Sequence, residues 1–226
     1  MRKYIIFLIP ILVIAVGVIF FYLSGESIDR KREQVFYIDY EKLGMLAESH
    51  PAGVNLINKI RQNDALLRDN DPLNDVGAYL GIGFDTRQLG DDKAAILAYL
   101  EALKINPDHP LGLNNIATSY REIGEYAKAE EAYRRAIISI PGEISNYINL
   151  ADVYRIQHPY DEEGLLAIIN SGIEVVGGPY DLISYLAVYY RDKGDTAKAI
   201  EYFEKLLAVS PNNESVKAEL ERLRGR

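Results

Sequence analysis

Few side chains in these 226 residues are of a type and spacing that support chemistry. There is no cysteine, which removes disulfides, thiolate zinc sites, iron–sulfur clusters, covalent haem attachment and a lipid-modified N-terminal cysteine. The three histidines, His50, His109 and His158, each stand before a proline, a context of loops and helix starts rather than of paired ligands. Asp108, ahead of His109 and Pro110, is the expected N-cap of the helix that follows. No glycine-rich phosphate loop, nucleophile elbow, two-histidine zinc helix or calcium loop occurs. The sequence therefore predicts no metal, no cofactor and no catalysis.

The pattern with chemical content is a set of four arginines, Arg87, Arg121, Arg155 and Arg191, separated by 34, 34 and 36 residues. Guanidinium forks repeated at one structural position would form a column suited to the carboxylates of an acidic partner, with Asn115 and Asn149 beside them for its backbone. The competing reading is local. Long arginines near the ends of helices cover the last carbonyls and pair with neighbours such as Glu122 and Asp192.

That spacing belongs to the whole downstream chain. Pro107 and Pro141 lie 34 residues apart, and Pro211 lies 70 further on, or 34 plus 36. Ahead of each proline the same order returns: Ala95, Tyr99 and Ala102; Ala129, Tyr133 and Ala136; Ala199, Phe203 and Leu206. These offsets put small and aromatic residues on one helical face. Earlier in each unit runs a second stripe, through Tyr79, Ile82 and Gly83; Leu113, Ile116 and Ala117; Tyr147, Leu150 and Ala151; Ile183, Leu186 and Ala187. Between the stripes stand Gly90, Gly124 and Gly194, each followed by an acid, which suits a helix stop with φ > 0 and then an anion at the next N-terminus.

Each unit is thus helix, turn, helix, and in period, small-residue spacing, aromatic and terminal proline the pattern resembles the tetratricopeptide repeat family. Residues 76–109, 110–143 and 180–213 match well, whereas 144–179 departs: His158 and Pro159 replace the glycine turn, and a two-residue insertion puts Leu165, Ile169 and Gly172 at the small and aromatic positions. That stretch is either a neutral loop insertion or a bend that shapes a binding surface. Glu214 to Arg224 reads as a capping helix with Val216, Leu220 and Leu223 inward and Lys217, Glu219, Glu221 and Arg222 outward. The resemblance implies a groove lined by first-helix side chains off the apolar stripes: Leu80, Phe84 and Arg87; Asn114, Asn115, Thr118 and Arg121; Ile148, Asn149, Asp152 and Arg155; Ser184, Tyr185, Val188 and Arg191. No lysine occupies these positions, so the Lys/Asn carboxylate clamp of some chaperone-binding members is not reproduced. Most tyrosines fall at core positions, and Phe84 and Tyr185 are the aromatics placed to face a partner.

Upstream of the repeats, Phe36, Tyr40, Leu43 and Ala47 predict a helix ending at Ser49-His50-Pro51, and Val54, Ile57, Ile60, Asp64 and Leu67 predict a second, the two docking on the first clear unit. Before them, Tyr4 to Leu23 holds no charged residue, and 20 residues at about 1.5 Å per residue cover the roughly 30 Å of a bilayer core. Arg2 and Lys3 ahead of this span favour a retained anchor with the N-terminus inside and the body outside the cytoplasm, although Arg30, Lys31 and Arg32 compete. The composition agrees on partners. With 25 Lys plus Arg against 33 Asp plus Glu the net charge is −8; without Arg2 and Lys3 it is 23 against 33, or −10. Such a body is repelled by nucleic acid over a Debye length of about 8 Å.

The expected protein is all-α: a single transmembrane helix in residues 1–25, a helical stalk or degenerate repeat in 26–75, and a right-handed superhelical solenoid of tetratricopeptide-like hairpins in 76–226. Its expected role is that of a membrane-tethered scaffold binding a protein in its groove, or of a structural subunit that packs against itself or a larger assembly, its N-terminal segment then serving as an export signal.

Overall fold

Alternating stop signals divide the chain into hairpins. In the computed structural model the described residues are 36–68 and 72–225, apart from the side chains of residues 72 and 73. They form eleven helices and, among the described residues, no strand: α1 (Tyr40–Glu48), α2 (Gly53–Leu66), α3 (Pro72–Gln88), α4 (Asp92–Ile105), α5 (Pro110–Glu122), α6 (Tyr126–Ser139), α7 (Ile144–Gln157), α8 (Glu162–Val176), α9 (Tyr180–Lys193), α10 (Thr196–Val209) and α11 (Glu214–Arg224). Successive helices pack on one another along the chain. The span predicted at Tyr4–Leu23 lies outside the described residues, among which no helix is long and apolar enough to cross a membrane.

Gly90, Gly124 and Gly194 take φ of +88°, +80° and +83°, a region that a Cβ disfavours, and each turns the chain back after a first helix. Asp91 and Asp195 then cap the next helix, accepting from the amides of Ala94 at 3.2 Å and Lys198 at 3.1 Å. Glu125 holds the equivalent place without capping through its side chain. The cap of α5 also differs from expectation. His109, not Asp108, is the N-cap, its Nδ1 accepting from the Gly112 amide at 3.3 Å. Pro110 at the first helical position makes the residue just before it the cap.

Both apolar stripes face inward. Tyr99 and Tyr133, with Ala95, Ala102, Ala129 and Ala136, are fully buried between helices, and Ala117, Ala151 and Ala187 sit opposite on the first helices. Fully burying a side chain of aromatic size contributes about 3 kcal/mol, so the repeated tyrosines are a large share of each hairpin's cohesion. The stack ends where α11 lays Val216, Leu220 and Leu223 over α9 and α10. Glu219 of that helix is not simply outward: it pairs with Arg222 and reaches Arg191 at 3.8 Å.

At the other end, α1 and α2 share a core with Ile82, Leu89 and Ala98 of the first clear unit, and Lys42 pairs with the buried Asp91 carboxylate. The helix begins at Tyr40 rather than Phe36, because Asp39 caps it through the Lys42 amide at 3.0 Å. Phe36 instead lies ahead of the helix, edge-on to Tyr79 at 5.2 Å. The stripe of α2 is also rotated from expectation: Leu56, Ile57 and Ile60 are buried while Val54 is 78% exposed. The close seat of Gly53 fixes that phase, since a Cβ there would stand 2.0 Å from the Ala47 carbonyl oxygen.

The irregular unit keeps its register. One added residue lengthens the turn, 158–161, and another lengthens α8 to 15 residues against 14 in α4, α6 and α10. Leu165, Ile169 and Gly172 are buried at the positions expected for them. Gly172 allows this, because a side chain there would strike Tyr147 at 2.8 Å and Leu182 at 2.7 Å. Gly177, at φ +80°, ends α8 where the other units carry a proline turn.

Removing one repeated tyrosine should loosen a hairpin without altering its surface. Tyr133→Ala is expected to cost about 3–5 kcal/mol. Ile138→Ala, at a side chain 79% exposed, should stay within about 0.5 kcal/mol. Urea denaturation followed by circular dichroism measures both, and equal midpoint shifts would contradict this account of the core.

Candidate binding cleft on the first helices

Side chains that leave the core stripes of α7 and α9 face one another. On α7 these are Ile148, Asp152 and Arg155, spaced four and three residues apart and so on one helical face; on α9 they are Asp181, Ser184, Tyr185, Val188 and Asp192, again on one stripe. Together with Pro159, Tyr160 and Glu162 from the irregular turn they line an open cavity of about 930 Å³. The floor is held by one bridge between units, the Tyr185 hydroxyl donating to Asp152 Oδ1 at 3.0 Å.

The turn that closes one side of the cleft is built locally. Pro159 restricts His158 to a non-helical backbone, which ends α7. The His158 ring then lies against Tyr154 at 4.4 Å, with its Nε2 3.5 Å from Glu130 Oε2. Asp161 caps α8 through the Gly164 amide at 2.9 Å and accepts from the Tyr154 hydroxyl at 2.5 Å. That hydroxyl bond is the main reason the Asp161 carboxyl is held below the usual carboxylate range. Between these anchored residues Tyr160 is left fully exposed. Glu162, the first residue of α8, is gripped by Lys193, by Lys198 at 3.4 Å and by the Tyr190 hydroxyl at 3.1 Å.

Six groove positions named from the sequence, Ile148, Asp152, Arg155, Ser184, Tyr185 and Val188, line this cavity. The others lie elsewhere. Phe84 is 43% exposed, with the Arg87 guanidinium 5.7 Å over its ring. Asn114 donates to Asn146 of the next unit, and Asn115 is half-buried. Thr118 is turned inward, donating to the Asn114 carbonyl at 3.0 Å and sharing a 3.0 Å hydrogen bond with the Tyr133 hydroxyl. Asn149 accepts from Arg121 at 3.1 Å.

The four arginines keep their repeat position, and the charges of Arg121, Arg155 and Arg191 are met close by. Arg121 holds Glu122 at 2.8 Å, Arg191 holds Asp192 at 2.8 Å and Glu219 at 3.8 Å, and Arg155 lies 3.8 Å from Asp152. The half-buried Arg87 has no acceptor for its Nε among the described residues. The local reading describes the geometry of Arg121, Arg155 and Arg191. Links from Arg121 to Asn149 and from Arg191 to Glu219, both spanning 28 residues, tie α5 to α7 and α9 to α11.

Sequence reasoning missed Asp181, Tyr189, Asp192 and Lys193 of α9, and Pro159, Tyr160 and Glu162 of the turn, as cleft residues. The insertion was the available signal for the last three. The first four lie beyond the groove positions mapped from the regular repeats, and only the approach of α9 to the turn brings them in.

Tetratricopeptide repeat family models match residues 78–109, 98–131 and 180–213. The fold is similar to that of a tetratricopeptide repeat protein from Parabacteroides merdae, at 21% identity and a TM-score of 0.61 over 82% of this chain and 73% of that one. It is also similar to MamA, residues 41 to the end, from Desulfovibrio magneticus RS-1, at 16% identity and a TM-score of 0.59 over 80% and 99%. The C-terminal part of a repeat protein from Cytophaga hutchinsonii aligns at 24% identity and 0.58 over 71% and 65%. No curated protein matches the chain in sequence. At these identities the likeness is one of fold: an all-helical tetratricopeptide solenoid.

The Tyr185–Asp152 bridge has a pH signature. Burial, and then the Asp152 charge, push the Tyr185 hydroxyl well above its ordinary value of 10.0. A raised native pKa means that this contribution to stability is whole below about pH 10 and is lost as the pH climbs toward the native value. Titration at 295 nm should show one tyrosine fewer ionising late in Tyr185→Phe, and that ionisation moving back toward 10 in Asp152→Asn. An unchanged late phase in both variants would remove the bridge.

Proposed function

We propose that this chain, an all-helical solenoid carrying tetratricopeptide repeats, is a membrane-tethered scaffold that holds another protein on the face of its first helices and acts by binding rather than by chemistry. The observation that carries the reading is the cleft of about 930 Å³ between α7 and α9. It runs across two adjacent units, its walls combine Ile148, Tyr185 and Tyr189, which also pack against the core, with side chains outside the core stripes, and its openness suits a segment of polypeptide better than an enclosed small molecule. The uncharged stretch from Tyr4 to Leu23 supplies the tether, with Arg2 and Lys3 retained in the cytoplasm and the acidic body displayed outside it. Confinement at a membrane raises the effective concentration of both partners, so a modest intrinsic affinity suffices.

A second reading, a subunit packing against copies of itself or a larger extracytoplasmic assembly, with the N-terminal segment as export signal, is favoured by a different set of residues. Ile105, Val175 and Val209 lie in the last turn of their second helices at one repeat position and are each about half exposed, at 49%, 52% and 53%, and Ile138 nearby is 79% exposed. A repeated apolar edge of this kind suits a lasting contact.

The two readings separate in intact membranes. With a photo-crosslinking residue at Ser184 the full-length chain should form a heterotypic adduct that is absent when the same residue is placed at Ile138. Adducts only with itself, gained from Ile138 and not from Ser184, would establish the second reading instead. The full-length chain should also remain in the membrane pellet after alkaline carbonate, and deletion of residues 1–25 should release it.

A further inference from the structure

The scaffold reading leaves open what kind of segment the cleft takes, and the charges on its walls decide against the acidic partner that an arginine column would suggest. Four acids line it, Asp152, Glu162, Asp181 and Asp192, against two cations, Arg155 and Lys193. Both cations are already engaged, Arg155 near Asp152 and Lys193 on Glu162. Asp181, at the opening turn of α9, is exposed and has no partner among the described residues. Asp192, eleven residues along the same stripe, is 63% exposed and shared only with Arg191.

Two carboxylates therefore mark the ends of one wall, about 16 Å apart at about 1.5 Å per residue. That is the span of roughly five residues of extended chain. Between them the wall is Tyr185 and Val188, with Tyr160 standing fully exposed across the opening. Aromatic faces beside carboxylates bind cationic side chains twice over, through charge and through the ring quadrupole. The protein uses the same pairing on itself, with Lys193 5.7 Å from the Tyr189 ring centre and Lys198 4.6 Å from that of Tyr190. The wider field has the same sign, since residues 4–226 carry −10.

We infer that the cleft between α7 and α9 is a docking site for an extended Lys- or Arg-bearing segment of a partner protein, whose cations meet Asp181 and Asp192 and whose stems lie on Tyr160, Tyr185 and Val188. The inference rests on the scaffold reading and adds the chemistry of the partner. The irregular turn at 158–161 is what makes the site specific to this pair of units, because Pro159 and Tyr160 have no counterpart in the glycine turns at Gly90, Gly124 and Gly194.

The test uses the full chain in nonionic detergent and two fluorescein-labelled peptides, one alternating Ala with Lys and Arg, the other alternating Ala with Glu and Asp. Fluorescence anisotropy should show saturable binding of the basic peptide alone, weakened by added salt. Asp181→Asn combined with Asp192→Asn should weaken it by about fivefold. A matched removal of two charges elsewhere, Glu48→Gln with Glu131→Gln, should change it by less than about twofold. Tyr160→Ala, at a side chain with no packing to disturb, should also weaken binding and guards against misfolding of the charge variant. Equal losses in the two charge pairs would reduce the effect to general acidity and overturn the inference. Binding of the acidic peptide through the cleft would overturn it while leaving the scaffold reading intact. Failure of both peptides together with loss of the Ser184 crosslink would remove both. Displacement of the basic peptide by self-association of the chain would give the cleft to a second copy, again against the inference.

Discussion

The constraint on which the structure depends is the narrow gap between the two helices of each hairpin. A gap that small admits only glycine or alanine at the crossing, and it leaves beside the crossing a wider space that an aromatic ring fills. Gly83, Ala117, Ala151 and Ala187 occupy the first side and Tyr99 and Tyr133 the second, with Phe203 in the last unit and Ile169 in the irregular one. Burial then constrains the hydroxyls. The Tyr99 hydroxyl is pushed up to about 12 by burial, with the Arg87 charge opposing, and the Tyr133 hydroxyl is turned onto Thr118. Thr118 is thereby withdrawn from the surface that its place on α5 would otherwise give it.

A hairpin of this kind presents an apolar edge to its neighbours, and stacking is the remedy. The seams between units carry polar bridges as well as apolar contact: Asn114 to Asn146, Arg121 to Asn149, Asp152 to Tyr185, and Tyr180 with Asn213. These bridges join side chains about one repeat apart, so they set how neighbouring first helices face each other. Arginine is well used here, because one planar fork meets a local acid and a residue of the next unit at the same time. The cost to function is that guanidinium groups engaged in the seams are not free to meet a ligand.

The irregular unit shows how a fixed core can coexist with a variable surface. Its buried register survives an insertion because one added residue goes to the turn at 158–161 and the other to the length of α8. The same insertion replaces a tight glycine turn with a proline and an exposed tyrosine, and those now line the cleft between α7 and α9. Core and surface are therefore separable in this architecture, with the stripes answering to packing and the turn free to vary the lining of the cleft.

Hairpin count, helix phase and core were legible from residue types alone for the regular units, since the period, the small residues and the glycine turns are each dictated by contacts within one hairpin or with its immediate neighbour. The capping helix was legible for the same reason. The α2 stripe was not, because its rotation is set by the seat of Gly53 on the Ala47 carbonyl, a backbone contact that leaves no mark in an apolar pattern. Nor was the cleft legible beyond its six central residues. Its charge depends on which acids are already paired, and pairing is decided by distances between side chains on different helices: Arg191 on Asp192, Lys193 on Glu162, and Asp181 left open. Spacing along a chain fixes which residues share a face; only the folded arrangement fixes which of their charges remain to be answered.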